Sequence, residues 1–196
     1  IIEDLRPNIY DPVEGTTIAD AEVERQSRKT KLVDVLWTCE DGTELTISTT
    51  RPELICACGV VVVHPDDTRY SHLVGKSVEL PMPVEGRSKT VQIMTHTSVK
   101  SEFGSGILMV CSFGDQNDVA VFRELGLTPF QAIDLDGKLT QLSGPLVGMK
   151  VIEARNAAID FLQNHGKIID VVEREQEIPV SERGKNPVEI ILLKEW

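Results

Sequence analysis

The sequence predicts an α+β fold: a barrel-like, β-rich unit with flanking helices rather than a doubly wound sheet. Three observations lead there. Short apolar runs rich in β-branched residues recur with turn signals between them, only two or three stretches carry amphipathic-helix spacing, and Pro and Gly cut the middle of the chain into short pieces. With 196 residues, 41% hydrophobic and 26% charged, the chain is long enough for one well-buried core.

Residues 1–19 read as an extended lead-in linker punctuated by Pro7, Pro12 and Gly15, and residues 20–196 as the domain with a final returning strand. VERQSRKTKLVDVLWTC and TELTIST are expected to form two strands hinged on Glu40-Asp41-Gly42, because Leu32, Val35, Trp37, Leu45 and Ile47 are apolar among polar neighbours. GVVVVHP, an unbroken β-branched run, predicts a strand buried on both faces. His64-Pro65-Asp66-Asp67 stops it, and its carboxylates cap a short turn, DDTRYSHLVG, that ends at Gly75. Short strands broken by Pro81, Pro83 and Gly86 follow, and GSGILMVCSF is a further strand. DQNDVAVFRELGL places an Asp at an N-cap, sets Val119, Phe122 and Leu125 on one helix face, and stops at Gly126. Residues 145–165 give the strongest helical pattern, with Pro145 ahead of it, Gly166 closing it, and Val151, Ala154, Ala158, Phe161 and Leu162 on one face. The tail reads as a strand, a Pro/Gly-rich turn region and a last strand.

Composition excludes several function classes. No run of 18 apolar residues exists, so no membrane partner is expected, and the N-terminus lacks a signal-peptide pattern. The missing initiator Met and the apolar ending LLKEW suggest a piece of a larger protein. The four cysteines are expected to be reduced thiols in a cytoplasmic protein. Cys56-x-Cys58 has the wrong spacing for a zinc knuckle, so neither metal nor other cofactor is expected. A net charge of −11 argues against a wide nucleic-acid-binding face, yet is compatible with receiving the tip of a nucleic acid held elsewhere.

Two polar clusters interrupt apolar strands: Thr49-Thr50-Arg51-Pro52-Glu53 and Gly114-Asp115-Gln116-Asn117-Asp118. Pro52 keeps Arg51 out of helical geometry, which leaves its guanidinium a fork for a carboxylate or a phosphate. The plainer alternative is a strand end whose threonines satisfy a turn and whose Arg51 pairs with Glu53 or an aspartate. Asp115 and Asp118 lie three apart in a helix's first turn, where one carboxylate serves as a cap and the second is free to hold a substrate ammonium. No Ser-His-Asp set, Walker loop or helical His pair is present.

TTRPE, VHPDDTRY and EFGSGILMVCSFGDQND, in that order, resemble the editing domain inserted into valyl-tRNA synthetases of archaeal type, with isoleucyl and leucyl relatives; SERGKNPVEIILLKEW resembles the strand returning to the synthetase core. The resemblance implies a β-barrel-like editing domain of a class I aminoacyl-tRNA synthetase that hydrolyses threonine wrongly esterified to valine tRNA. Its partners would be the mischarged 3′ acceptor end and the remainder of the synthetase chain. It further implies that Asp118 holds the α-ammonium and Asp115 helps recognise the polar side chain. Thr49 and Thr50 would lie near the ester and attacking water, and Arg51, with Glu53, would orient the adenosine end or brace the pocket. Met109 and Cys111 stand in the pocket wall where relatives commonly carry Lys and Thr, and Gly114 where many carry His. A binding or spacer domain without catalysis, or editing by a leucyl or isoleucyl enzyme, are the alternatives.

Overall fold

A computed structural model of the protein describes residues 5–194. The chain begins in β1 (Leu5–Asp11), which pairs antiparallel with the last strand, β10 (Glu189–Lys194), and carries β2 (Thr16–Thr17) on its other edge. Half of the stretch that reads as a linker is therefore sheet. Its inner end is anchored by a buried carboxylate: Asp11 accepts from Ser181 Oγ (2.8 Å), Asn186 Nδ2 (3.1 Å) and the N–H groups of Val13 and Glu14. Four donors satisfy the charge where water is excluded.

β3 (Val23–Cys39) organises the larger sheet. The tight turn after it, with Gly42 at φ +90°, returns the chain as β4 (Glu44–Thr49) along one edge. The opposite edge is shared by β9 (Ile168–Ser181) and then β6 (Ser77–Glu79). From β6 the sheet continues through β7 (Thr90–Thr95) and β5 (Cys58–Val63) to β8 (Ile107–Cys111); β5 and β7 run parallel, and the other pairs antiparallel. This curled sheet with few helices is the α+β, barrel-like architecture the sequence predicts.

The unbroken valine run of β5 is buried on both faces, as expected. Val61 and Val63 face the main core with Trp37, Ile47, Leu54 and Ile93, whereas Val60 and Val62 face a second core with Val110, Val121 and Phe122. Gly59 permits the close packing there, since a Cβ at that position would sit 2.5 Å from Phe122 Cζ. Phe122 belongs to α1 (Gln116–Leu125), which ends at Gly126 in a left-handed cap with φ +65°. The second helix, α2 (Val151–Asn164), is shorter than its sequence pattern suggests. Gly144 and Gly148 take positive φ (+56° and +79°), so residues 141–146 form a 3₁₀ turn before the helix starts. Ala154, Ala158 and Leu162 then seat α2 on the main core.

Candidate functional site

The first polar cluster sits where β4 ends. Thr49 Oγ1 accepts from the N–H of Arg51 (3.0 Å), which turns the chain sharply into a buried 3₁₀ segment, Pro52–Ala57. Pro52 at its first position lacks the N–H that would otherwise go unpaired. Thr50 is half-buried, and its hydroxyl has no hydrogen-bond partner among the described residues.

Arg51 does not reach outward. Its Nε donates to Glu53 Oε1 (3.0 Å) and its Nη2 to Glu189 Oε1 (3.0 Å), while Nη1 lies 2.9 Å from Glu189 Oε2, off the line of a good hydrogen bond. From α2, Arg155 donates through Nε and Nη2 to the same Glu53 carboxylate at 2.9–3.2 Å. Glu53 is 0% exposed and Glu189 6%. Burial alone would disfavour the Arg51 charge, but Glu189 and then Glu53 outweigh it and push its pKa up. Two guanidinium and two carboxylate groups thus alternate in one chain, Arg155–Glu53–Arg51–Glu189, that joins α2, the segment after β4, and β10. Of the sequence alternatives, Arg51 takes the carboxylate one, and Glu53 has no free lone pair facing solvent.

The second cluster sits where β8 ends. Asp115 caps α1, its Oδ1 accepting from the N–H of Asp118 (2.9 Å), and Asp118 reaches back so that its Oδ2 accepts from the N–H of Gly114 (2.8 Å). Gly114 leaves room for that return: a Cβ there would lie 2.8 Å from Asp118 Oδ2 and 3.6 Å from Leu54 Cδ1. Asp115 is exposed, Asp118 only 8% exposed. Burial, reinforced by the neighbouring Asp115 charge, pushes the Asp118 carboxyl up to about 8, against the pull of N–H donors from Gly114, Asp115 and Cys111. No cation pairs with it among the described residues.

The segment that continues the first cluster packs against the second. Leu54, one residue past Glu53, touches the Gly114 position, and the N–H of Ser112 donates to the carbonyl of Ala57 (3.0 Å). Thiols gather at that contact as a wall. Cys58 and Cys111 are cross-strand partners, Cys111 adjoins Asp118, and Cys56 lies close by. The Cys58 thiol and burial drive Cys111 well upward, and burial pushes Cys56 up to about 12, so both are neutral and neither serves as a thiolate. Met109, cross-strand from Val61, is buried in the main core. It presents no polar group. His64, Asp66 and Asp67 stand apart in the turn after β5, where Asp67 caps the 3₁₀ segment Thr68–Leu73.

Glu189 and Arg155 were not singled out from the sequence. The signal was there in part: a glutamate inside PVEIILL, on a strand otherwise apolar, requires a buried partner. Phe103, 45% exposed with the Arg174 guanidinium 5.0 Å above its ring, is a further unanticipated feature; the following Gly104 packs against Ser48 beside Thr49.

Comparison with known proteins comes out as follows. No family model matches the chain. The chain is 38% identical over 196 residues to the valine–tRNA ligase of Thermoplasma acidophilum, covering all of this chain and 24% of that protein. It is 40% identical over 197 residues to the valine–tRNA ligase of Nanoarchaeum equitans, covering 100% of the chain and 25% of the relative. For that of Methanopyrus kandleri the figures are 42% over 186 residues, 92% and 20%. The chain therefore spans about a quarter of the length of these relatives. Among the described residues, no helix is long and apolar enough to cross a membrane.

Proposed function

The chain corresponds over its whole length to one segment of the valine–tRNA ligase family, and on that premise we propose that it hydrolyses the ester of threonine mischarged on valine tRNA. The need for such a site follows from size. Threonine is valine with a hydroxyl in place of a methyl, and the rejection of threonine by valyl-tRNA synthetase is itself the worked case of how weakly an apolar pocket discriminates. A second site that hydrolyses the error removes the difference.

The observation that carries this reading is the Asp118 carboxyl: buried, lacking a cationic partner among the described residues, and next to the exposed Asp115. Such a group rests protonated near neutral pH and ionises when a cation arrives. The free α-ammonium of an aminoacyl ester is that cation. Thr49 accepts from the Arg51 N–H, which leaves its own O–H to donate to the developing oxyanion or to the attacking water. Thr50 offers an uncommitted hydroxyl beside it. Arg51 and Glu53 act by bracing this strand end, through Glu189 and Arg155, rather than by touching substrate. In this reading the exposed Asp115 meets the threonine side chain beside Asp118, and the buried Cys111 and Met109 back the site with apolar packing. No covalent intermediate is needed, because the ester is already activated: one positioned water bonds to the carbonyl carbon, the carbon–oxygen bond to the ribose breaks, and the water's proton ends on the departing ribose oxygen.

One observation favours a binding-only role. Both aspartates take part in capping α1, and Met109 and Cys111 supply no polar group to the wall. The deciding experiment measures hydrolysis of threonyl-tRNA specific for valine by the full-length synthetase, with and without Asp118→Ala. Loss of deacylation by at least an order of magnitude is expected. Unchanged deacylation in the variant overturns the ammonium assignment, and an inactive wild type favours the binding-only role.

A further inference from the structure

Arg87, on the loop between β6 and β7, is half-buried, and its guanidinium contacts neither a carboxylate nor a side-chain carboxamide among the described residues and sits over a phenylalanine at the clusters' edge, as that of the half-buried Arg174 sits over Phe103. Its Nη1 donates to the carbonyls of Cys56 (2.9 Å) and Cys58 (2.6 Å), and its Nε to the carbonyl of Ser88 (2.8 Å). The guanidinium carbon lies 4.3 Å over the centre of the Phe130 ring. Phe130 is fixed in turn, its N–H donating to Ser112 Oγ (2.8 Å) two residues before Gly114. The charge is held rigidly, and burial pushes its pKa down with no nearby carboxylate to offset the cost. Arg51, Arg155 and Arg69 each have such a carboxylate. Nη2 of Arg87 has no partner among the described residues. A chain of net charge −11 has carboxylates to spare, so a desolvated arginine without one is set up for an anion from outside.

The surroundings narrow the anion. The chain neighbours Glu85 and Gly86, with Gln131 beside Phe130, border an open hollow completed by Thr140, Gln141 and Leu142. Two carboxamides and a hydroxyl suit a polar, neutral group such as a sugar or base, and Glu85 at the rim disfavours a second negative charge. Arg87 bonds the Cys56 and Cys58 carbonyls, and Cys111 adjoins both Cys58 and Asp118, so a cation and an acid, neither beside an opposite charge, share one thiol wall. An aminoacylated nucleotide has the complementary layout, an ammonium at one end and a phosphate at the other. We infer that Arg87, backed by Phe130, binds the last internucleotide phosphate of the acceptor strand and so positions the ester against the wall. The inference rests on the editing reading above and adds a subsite to it.

The test uses the full-length synthetase and threonyl-tRNA with either a normal last phosphodiester or an uncharged methylphosphonate there. Removing one charge-assisted contact lowers kcat/KM by about ten-fold or more, whether by Arg87→Gln or by the methylphosphonate. Combined, the two changes are expected to cost no more than either alone, the loss to appear in KM, and Arg87→Lys to recover part of it. The Gln variant's dependence of log kcat/KM on log salt should also be shallower by about 0.7, as for one single-strand phosphate. Multiplicative losses, an unchanged salt slope, or a loss confined to kcat with lowered thermal stability would overturn the assignment and leave Arg87 as a clamp on the Cys56 and Cys58 carbonyls. If the wild type deacylates nothing, the editing reading fails by itself. The same pair of changes read out in tRNA binding then decides the phosphate contact, and additive effects there overturn it.

Discussion

Replacing Glu53 by glutamine removes one negative charge from a network in which two arginines and two glutamates neutralise each other. The Glu53 carboxylate is 0% exposed and accepts from Arg51 and from both Nε and Nη2 of Arg155. Glutamine keeps the shape, but its amide nitrogen must face a guanidinium, Arg155 loses its carboxylate, and Arg51 keeps only Glu189. Breaking a buried pair by removing one partner costs about 3–5 kcal/mol. At about 2–4 °C per kcal/mol for a chain of this size, the melting temperature should fall by about 6–20 °C. Thermal unfolding followed by calorimetry measures it, and Arg155→Gln supplies a double-mutant cycle. Because the two residues share one contact, the double variant should lose less than the sum of the singles. A Glu53→Gln melting temperature within about 2 °C of wild type, a shift under 1 kcal/mol, would show that the network is dispensable and would return Arg51 to the list of free anion-binding groups.

Three other expectations are open to measurement. Asp118 titrates near 8 in the fold against about 3.8 for the free carboxyl, so the native state binds more protons between those values. Its contribution to stability is complete below about 4 and lost as pH climbs to about 8; denaturant titrations of Asp118→Asn should lack this decline, and parallel profiles would refute the raised pKa. Gly114→Ala places a methyl 2.8 Å from Asp118 Oδ2, which forces the carboxyl off the Gly114 N–H. A stability loss of about 1–3 kcal/mol is expected together with reduced deacylation, and an unperturbed variant would mean that the glycine is not there for that contact. The excised domain, with net charge −11, should deacylate mischarged tRNA far more slowly than the full-length synthetase even at low salt, because phosphate attraction has to come from elsewhere. Comparable turnover by the fragment would contradict this.

Local chemistry made much of the fold readable before any coordinates. The β3–β4 hairpin follows from alternation around Asp41-Gly42, the two-sided burial of β5 from its valines, and α1 from an aspartate cap and a terminal glycine. What escaped is non-local or depends on glycine conformation. β1 pairs with β10 across nearly the whole chain, and Arg51 meets Glu189 138 residues away, relations that no window of sequence contains. α2 starts later than the sequence pattern predicts because Gly144 and Gly148 take positive φ, which composition permits but does not require. The alternatives for Arg51, an outside ligand or a carboxylate, stay open in the sequence because its partner on β10 and the Glu53 partner on α2 lie more than 100 residues away.

That pairing changes how the remaining charges should be understood. Once Arg51, Arg155, Glu53 and Glu189 neutralise one another, they contribute rigidity and almost no field at the strand end they hold. On the readings proposed above, the groups left to act on a ligand are those with no opposite charge beside them, Asp118 and Arg87 at the thiol wall. Each is destabilised by its burial, and each is relieved only by the opposite charge. Under the editing reading a substrate carrying both charges relieves both at once, whereas free threonine engages only the first and an uncharged acceptor end only the second. Discrimination for the complete ester then arises without any contact specific to either fragment. On that reading, the two interactions that the folded protein alone leaves unmade are what would bring the reacting bond to the Thr49 and Thr50 hydroxyls.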